Sequence, residues 1–234
     1  MGCSLKILLK KRFSMKVVIP SVIYFHIAII GKYQEIFDEI YSQILESNLI
    51  DEVDFINLCI VGEGELIVPS HKKIKIYKDP YIESGEFFTL NLIKTFSDSV
   101  DKKYRILYIH TKGVTTPDNL CIDDWRQYMT YFNINQYRKC FDMLDEYDSC
   151  GVDLVSEPTI HYSGNFWWAN SSYIKQLPTI DEIKFPKVPP ILSIRHNCEF
   201  WIGMGNGKLK SLWNSDIGVY ERHIHRYDTM EYMK

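Results

Sequence analysis

The sequence predicts a single-domain α/β fold in which a mostly parallel central sheet is flanked by helices. Three observations carry that expectation. The chain has 234 residues, 46% hydrophobic and 14% aromatic, enough for one large core and too little for two. Its strand-length apolar runs are continuous rather than alternating, as strands covered on both faces require. Segments of helical period separate those runs, the order that gives parallel strands joined by crossover helices.

Residues 1–14 read as a basic N-terminal extension and residues 15–234 as one domain. The extension mixes Lys6, Lys10, Lys11 and Arg12 with Ile7, Leu8, Leu9 and Phe13, which suits either an anionic membrane surface or an unstructured start. Gly2-Cys3-Ser4 opens like an acylation signal, but Lys6 stands where that signal needs Ser or Thr. No secretory leader is expected, because charges interrupt the apolar stretch. Val17 to Ile30, the most apolar run, holds Pro20 and His26 and falls short of the roughly 20 residues a membrane span needs.

Within that run Val22–Ile30 is apolar and β-branched and predicts the first strand. After Gly31, Ile36, Phe37, Ile40 and Ile44 recur at helical spacing until Ser47-Asn48. Phe55–Val61 predicts a second strand, and its exit loop Gly62-Glu63-Gly64-Glu65 an expected cleft rim. Ile74–Tyr77 predicts a third. Ser84-Gly85-Glu86 opens a helix with Phe88, Leu92 and Phe96 on one stripe, and Arg105–His110 predicts a fourth strand. Asp123-Asp124 are expected to cap a long helix with Trp125, Met129, Phe132, Cys140 and Leu144 inward and Gly151 at its end, after which Val152–Val155 resumes the sheet. The pattern then loosens into short strands, turns and a helix near Ser171–Gln176, with Pro186, Pro189 and Pro190 marking a loop.

Composition narrows the function. Twenty-seven Lys and Arg against 30 Asp and Glu give a net charge of -3 with no basic stretch, which argues against a nucleic-acid partner. Six widely spaced cysteines, with no C-x-x-C pair, fit reduced thiols in a cytoplasmic setting, that of the host if the protein is viral. There is no Gly-rich phosphate loop, serine elbow or H-E-x-x-H, which weakens kinase, hydrolase and protease readings.

Ligands of open α/β sheets bind beyond the carboxyl ends of the strands, where His110, Thr111 and Lys112 project an imidazole, a hydroxyl and an ammonium and Gly113 turns the chain. Lys112 can hold a diphosphate as a point charge with His110 as a second donor, or the segment is merely a strand end with a solvated Lys. His161 to Asn170 sets Trp167 and Trp168 beside Asn165 and His161, aromatic faces and polar groups of the kind that grip a sugar. The plain alternative is a core strand with two large residues facing opposite sides, and one Trp in the core with one in the cleft is the expected compromise. Asp124 and Arg126 are explained by an ion pair or as site residues. Glu199, among Phe200 and Trp201, reads either as a carboxylate desolvated toward the pKa of a general base or as a solvated helix Glu. His223 and His225 near the C-terminus are read as incidental rather than as metal ligands or phosphate donors.

Taken together, Ile106–Gly113, Asp124–Met129, His161–Ala169 and Glu199–Gly203 resemble a family of glycosyltransferases of bacteria and large DNA viruses, a likeness spanning roughly Val17 to Gly203. The resemblance implies a GT-A-like, Rossmann-like fold that takes a nucleotide-sugar donor over the first half of the sheet and a glycan or glycoconjugate acceptor over the second. Such enzymes usually end the central strand with Asp-x-Asp, which binds Mn or Mg. Here the position reads His110-Thr111-Lys112, so no metal ligand is assigned and metal is optional. By the same resemblance Lys112, His110 and Thr111 meet the leaving diphosphate, and His26, Glu86 and Thr89 frame the nucleotide. Asn165, Trp167, Trp168, His161 and Arg126 hold sugar or acceptor. Glu199 is the expected base, with Asp124 in reserve. A nucleotidyltransferase and a non-catalytic glycan-binding module are the alternatives.

Overall fold

The longest apolar runs of the chain become the centre of one sheet. In the computed structural model, which describes residues 18–116, 118–180 and 197–233, β1 (Ser21–Ala28), β2 (Phe55–Val61), β3 (Ile74–Asp79) and β4 (Arg105–His110) lie parallel in the order β3-β2-β1-β4. β5 (Ser149–Gly151) is short, and β6 (Leu154–Val155) pairs with β7 (His161–Tyr162) as a separate antiparallel ribbon. β8 (Trp167–Asn170) runs antiparallel between β4 and β5, and β9 (Leu209–Ser211) completes the seven-stranded sheet beside β5. The mostly parallel α/β sheet expected from the sequence is therefore present. The extension 1–14 and the proline loop at 186–190 lie outside the described residues.

Alternation along each strand sends side chains to two cores. On one face Ile23, Phe25 and Ile27 of β1 pack with Ile36, Phe37, Ile40 and Ile44 of α1 (Tyr33–Glu46), with α2 (Leu49–Glu52), and with α4 (Leu120–Thr130) and α5 (Tyr137–Met143). On the other face Val22 and Tyr24 pack with Leu90 and Ile93 of α3 (Gly85–Ser99), with α6 (Ser171–Ile174) and with α7 (Asn197–Phe200). α8 (Thr229–Tyr232) brings Tyr232 back to the first core. Each fully buried aliphatic or Phe side chain contributes about 1.5–3 kcal/mol, so the two cores hold the strand ends in fixed register. That register sets His26 of β1 directly beside His110 of β4.

Four local expectations are corrected. The helix after residue 119 is capped by Asn119, whose side chain accepts from the Cys121 and Ile122 amides, rather than by Asp123 or Asp124. It is also not continuous, since a π-helical turn over Tyr131–Asn135 separates α4 from α5. Gly151 does not end a helix but lies in β5, where a Cβ would sit 2.8 Å from the Phe166 carbonyl oxygen and 2.9 Å from the Tyr162 ring. The Val152–Val155 strand is replaced by that three-residue sheet strand and the two-residue β6.

Candidate functional site

The connection leaving β1 through α1 covers one face, and the connection entering β4 through α3 covers the other, so β1 and β4 flank a switch point of the sheet. A cleft of about 430 Å³ opens there, within the roughly 300–1,000 Å³ of small-molecule sites. Its floor is formed by His26, Glu86 and His110. One wall is the Thr111–Thr116 loop with Trp125, another carries His161, Ser163, Glu199 and Phe200, and Val219, Tyr220 and His223 close it from the C-terminal segment.

The floor is a polar network built under α3. Glu86, in the first turn of α3, accepts hydrogen bonds on Oε2 from the Tyr108 hydroxyl at 2.7 Å and from Asn165 Nδ2 at 2.8 Å. Asn165 in turn accepts from Trp167 Nε1 at 2.9 Å, which fixes which way its amide faces. His26 Nδ1 shares a 2.8 Å hydrogen bond with Thr89 Oγ1. His110 Nε2 donates to the Gly164 carbonyl at 3.0 Å. Because a carbonyl only accepts, that bond fixes the proton on Nε2 and leaves Nδ1 with its lone pair when the ring is neutral.

Enclosure sets the charges. Burial pushes His26 down to about 4, against the attraction of Glu86 and with His110 adding to the drop. Burial also lowers His110, helped by the Lys112 ammonium and opposed by Glu86 and the Gly164 carbonyl. For Glu86 burial alone would raise the carboxyl, but His110, His26 and the hydrogen bonds from Tyr108 and Asn165 outweigh it and hold the group near 2. At neutral pH both imidazoles are uncharged and their attraction is absent, and what favours the ionised form of Glu86 there is the pair of hydrogen bonds from Tyr108 and Asn165 and its place in the first turn of α3. The floor then carries one negative charge.

The wall beside it is cationic. Lys112 Nζ lies 3.7 Å from the centre of the Trp125 ring, and Gly113, at φ +100, turns the chain where a Cβ would meet Arg126 at 3.0 Å and Ile122 at 3.1 Å. Thr111 ties this loop to β1, its amide donating to the His26 carbonyl at 3.1 Å and its hydroxyl accepting from the Ala28 amide at 3.3 Å. These groups do not fit a divalent ion. Lys112 brings a cation, Thr111 holds a backbone amide and His110 Nε2 is a bound donor. Among the described residues no group of three His, Cys, Asp or Glu side chains is arranged to hold a metal.

The cleft thus assembles His26, Glu86, His110, Thr111, Lys112, His161 and Glu199, with Thr89 behind His26. His110 is corrected as a second diphosphate donor, since its one N–H at neutral pH is spent on Gly164. Trp167 and Trp168 are both fully buried, one in each core, so neither reaches the cleft and the plain reading of that strand holds. Asn165 is a buried support for Glu86 rather than a sugar contact. Arg126 is buried and paired with Glu39 at 2.7 Å and Asp123 at 2.9 Å, with a further hydrogen bond to the Lys112 carbonyl at 3.0 Å, so it braces the loop. Asp124 faces Arg226. The Gly62–Glu65 loop does not line the cleft; a Cβ on Gly62 would meet Ile29 and Ile82, of which Ile82 lines it.

Trp125, Ser163, Phe200, Tyr220 and His223 were not expected in the cleft. Trp125 was legible as an inward helix residue only, and nothing in the spacing of His223 and His225 separates the one that lines the cleft from the one that faces Glu221.

A family profile described as Domain of unknown function (DUF8361) matches residues 27–187, from the end of β1 past α6. No curated protein matches the chain.

Proposed function

The chain belongs to the DUF8361 family, and from the chemistry of its cleft we propose that it is a glycosyltransferase, moving a sugar from a nucleotide-diphosphate donor to a hydroxyl of a glycan or other acceptor. The observation that carries this reading is one switch-point cleft with Lys112 laid over Trp125 in one wall and Glu199 in another. The strand order β3-β2-β1-β4 is that of the first four strands of Rossmann-like sheets, which supports the finer, GT-A-like reading of the fold. Lys112 neutralises the leaving diphosphate as the bond from the sugar to the phosphate oxygen breaks. Glu199 takes the proton of the acceptor hydroxyl whose oxygen forms the new bond. No step is routed through a metal. Thiols outside any disulfide at Cys59, Cys121, Cys140 and Cys150 support a reducing, cytoplasmic setting, and no described helix is long and apolar enough to cross a membrane.

The test is a thermal-shift panel of UDP, GDP, dTDP and CMP, each with and without Mn, since a ligand of the native state raises its stability. At least one nucleotide is expected to raise the melting temperature, and Lys112→Ala to remove the shift. A panel with no response would sink the donor-site reading, and an unchanged shift in the variant would move the phosphates elsewhere. The absence of a carboxylate pair after β4 favours a second reading, a glycan-binding module without transfer. Release of free nucleotide from a bound nucleotide-sugar separates the two.

A further inference from the structure

The cleft is electrostatically divided. Its Lys112 wall suits phosphates, but its floor offers hydrogen-bond acceptors. Glu86 lines the cleft with a carboxylate whose Oε2 is fixed by Tyr108 and Asn165. His110 keeps Nδ1, the nitrogen not bonded to Gly164, as an acceptor when the ring is neutral. Glu86 is bonded to Tyr108, two residues before His110 on β4, and the β1–β4 register sets His110 beside His26. A phosphate brings only acceptors and negative charge, so it gains nothing from Glu86 or from His110 Nδ1 and is repelled by the carboxylate. A group rich in hydroxyls is the complementary ligand, because each O–H donates to an acceptor already oriented.

We propose that the Glu86–His110 floor is the subsite of the transferred sugar, and that it selects a neutral, hydroxyl-bearing sugar over a uronic or other acidic one. This rests on the nucleotide-sugar reading above and names the class of its donor. The diphosphate sits against Lys112 and Trp125, and the sugar folds back over the floor toward the wall that holds Glu199. A hydroxymethyl or ring hydroxyl donates to Glu86. A sugar carboxylate brings a second negative charge into an enclosed space next to the first, where like charges are screened far less than in water. Asn165 is a positioning residue. Its backbone, at φ +60, is held by the turn after β7, and its amide presents the Glu86 carboxylate in one orientation.

The experiment compares affinities by calorimetric titration in two series, UDP, UDP-glucose and UDP-glucuronate, and GDP, GDP-mannose and GDP-mannuronate. Within the series that binds, the neutral conjugate is expected to bind roughly tenfold or more tightly than the acidic one. Glu86→Gln, which keeps the shape and removes the charge, is expected to close most of that gap. A general loss of packing would weaken both conjugates alike and leave their ratio unchanged. If the variant does not fold, the native ratio alone decides. Equal or tighter binding of the uronate overturns the sugar subsite while leaving the nucleotide reading intact. Silence from both series, together with a silent nucleotide panel, removes both.

Discussion

His26 and Glu199 are the residues on which single-atom chemistry tests the site. With its folded pKa near 4 and its ordinary value 6.5, His26 takes up a proton in the unfolded chain before it does so in the native one. Native stability therefore falls as the pH drops from 6.5 toward 4, by about 1.4 kcal/mol per unit and about 3 kcal/mol in all. Glu86 is depressed as well, and its contribution is lost only below about 4.5. Urea midpoints measured between pH 7 and pH 4.5 are expected to decline steadily. His26→Gln should flatten that decline without abolishing it, because His110 is lowered too. A flat native profile would mean that the imidazoles take up protons in the fold as they do in the unfolded chain. Glu199, half-buried in the cleft wall, is tested by Glu199→Gln. Transfer is expected to fall by about 10²-fold or more, the loss of a general base, with the nucleotide shift retained; full turnover eliminates it as the base.

At the scale of elements, the turn between β7 and β8 determines whether the floor exists. Gly164 adopts φ +89, and a Cβ there would lie 2.5 Å from Met129 Sδ and 3.1 Å from Trp125 Cζ2. Its carbonyl holds His110, and the next residue holds Glu86. Gly164→Ala combines backbone strain with a clash against α4, so it should lower the unfolding free energy by about 1–3 kcal/mol in urea titration. A native midpoint in the variant would show that the turn relaxes freely. The sequence announced this segment by its polar and aromatic residues but not its direction. Continuous apolar runs made β2 and β4 readable to the residue, because burial on both faces leaves no choice of composition. Ser149-Cys150-Gly151 carries no such pattern, and Gly151 is required by the close approach of Phe166 and Tyr162 rather than by a turn. The π-turn of Tyr131–Asn135 has no Pro or Gly to mark it. It is held by long-range partners instead, with Trp168 Nε1 donating to the Asn133 carbonyl at 2.8 Å.

Across the whole molecule, the C-terminal segment closes the cleft through contacts that no local pattern encodes. After β9 the chain returns over α4, packing Tyr227 at a tilt and Tyr232 edge-on against Tyr128. Arg226 pairs with Asp124, and Asn119 Nδ2 donates to the His223 carbonyl at 3.4 Å. Its anchor is Asp153, buried at φ +51, which accepts from the Ser215 amide at 2.6 Å and receives the buried Arg222 guanidinium. Between Ser215 and Arg222 lie Val219 and Tyr220, with His223 next, the three residues this segment gives to the cleft. Arg222 is separated from its partner by 69 positions, which is why a segment without helical or strand period gave no sign of its role. Removing one member of a buried pair leaves the other charge uncompensated, so Arg222→Met is expected to cost about 3–5 kcal/mol. Asp153→Asn with Arg222→Met should recover much of that loss. The double-mutant cycle in urea measures the coupling, and additive single losses would show that the pair does not act as a unit. Nucleotide affinity follows the same latch: in Arg222→Met it should weaken while the double variant regains it, because the segment that carries His223 stays closed only when Asp153 has no unpaired charge to hydrate.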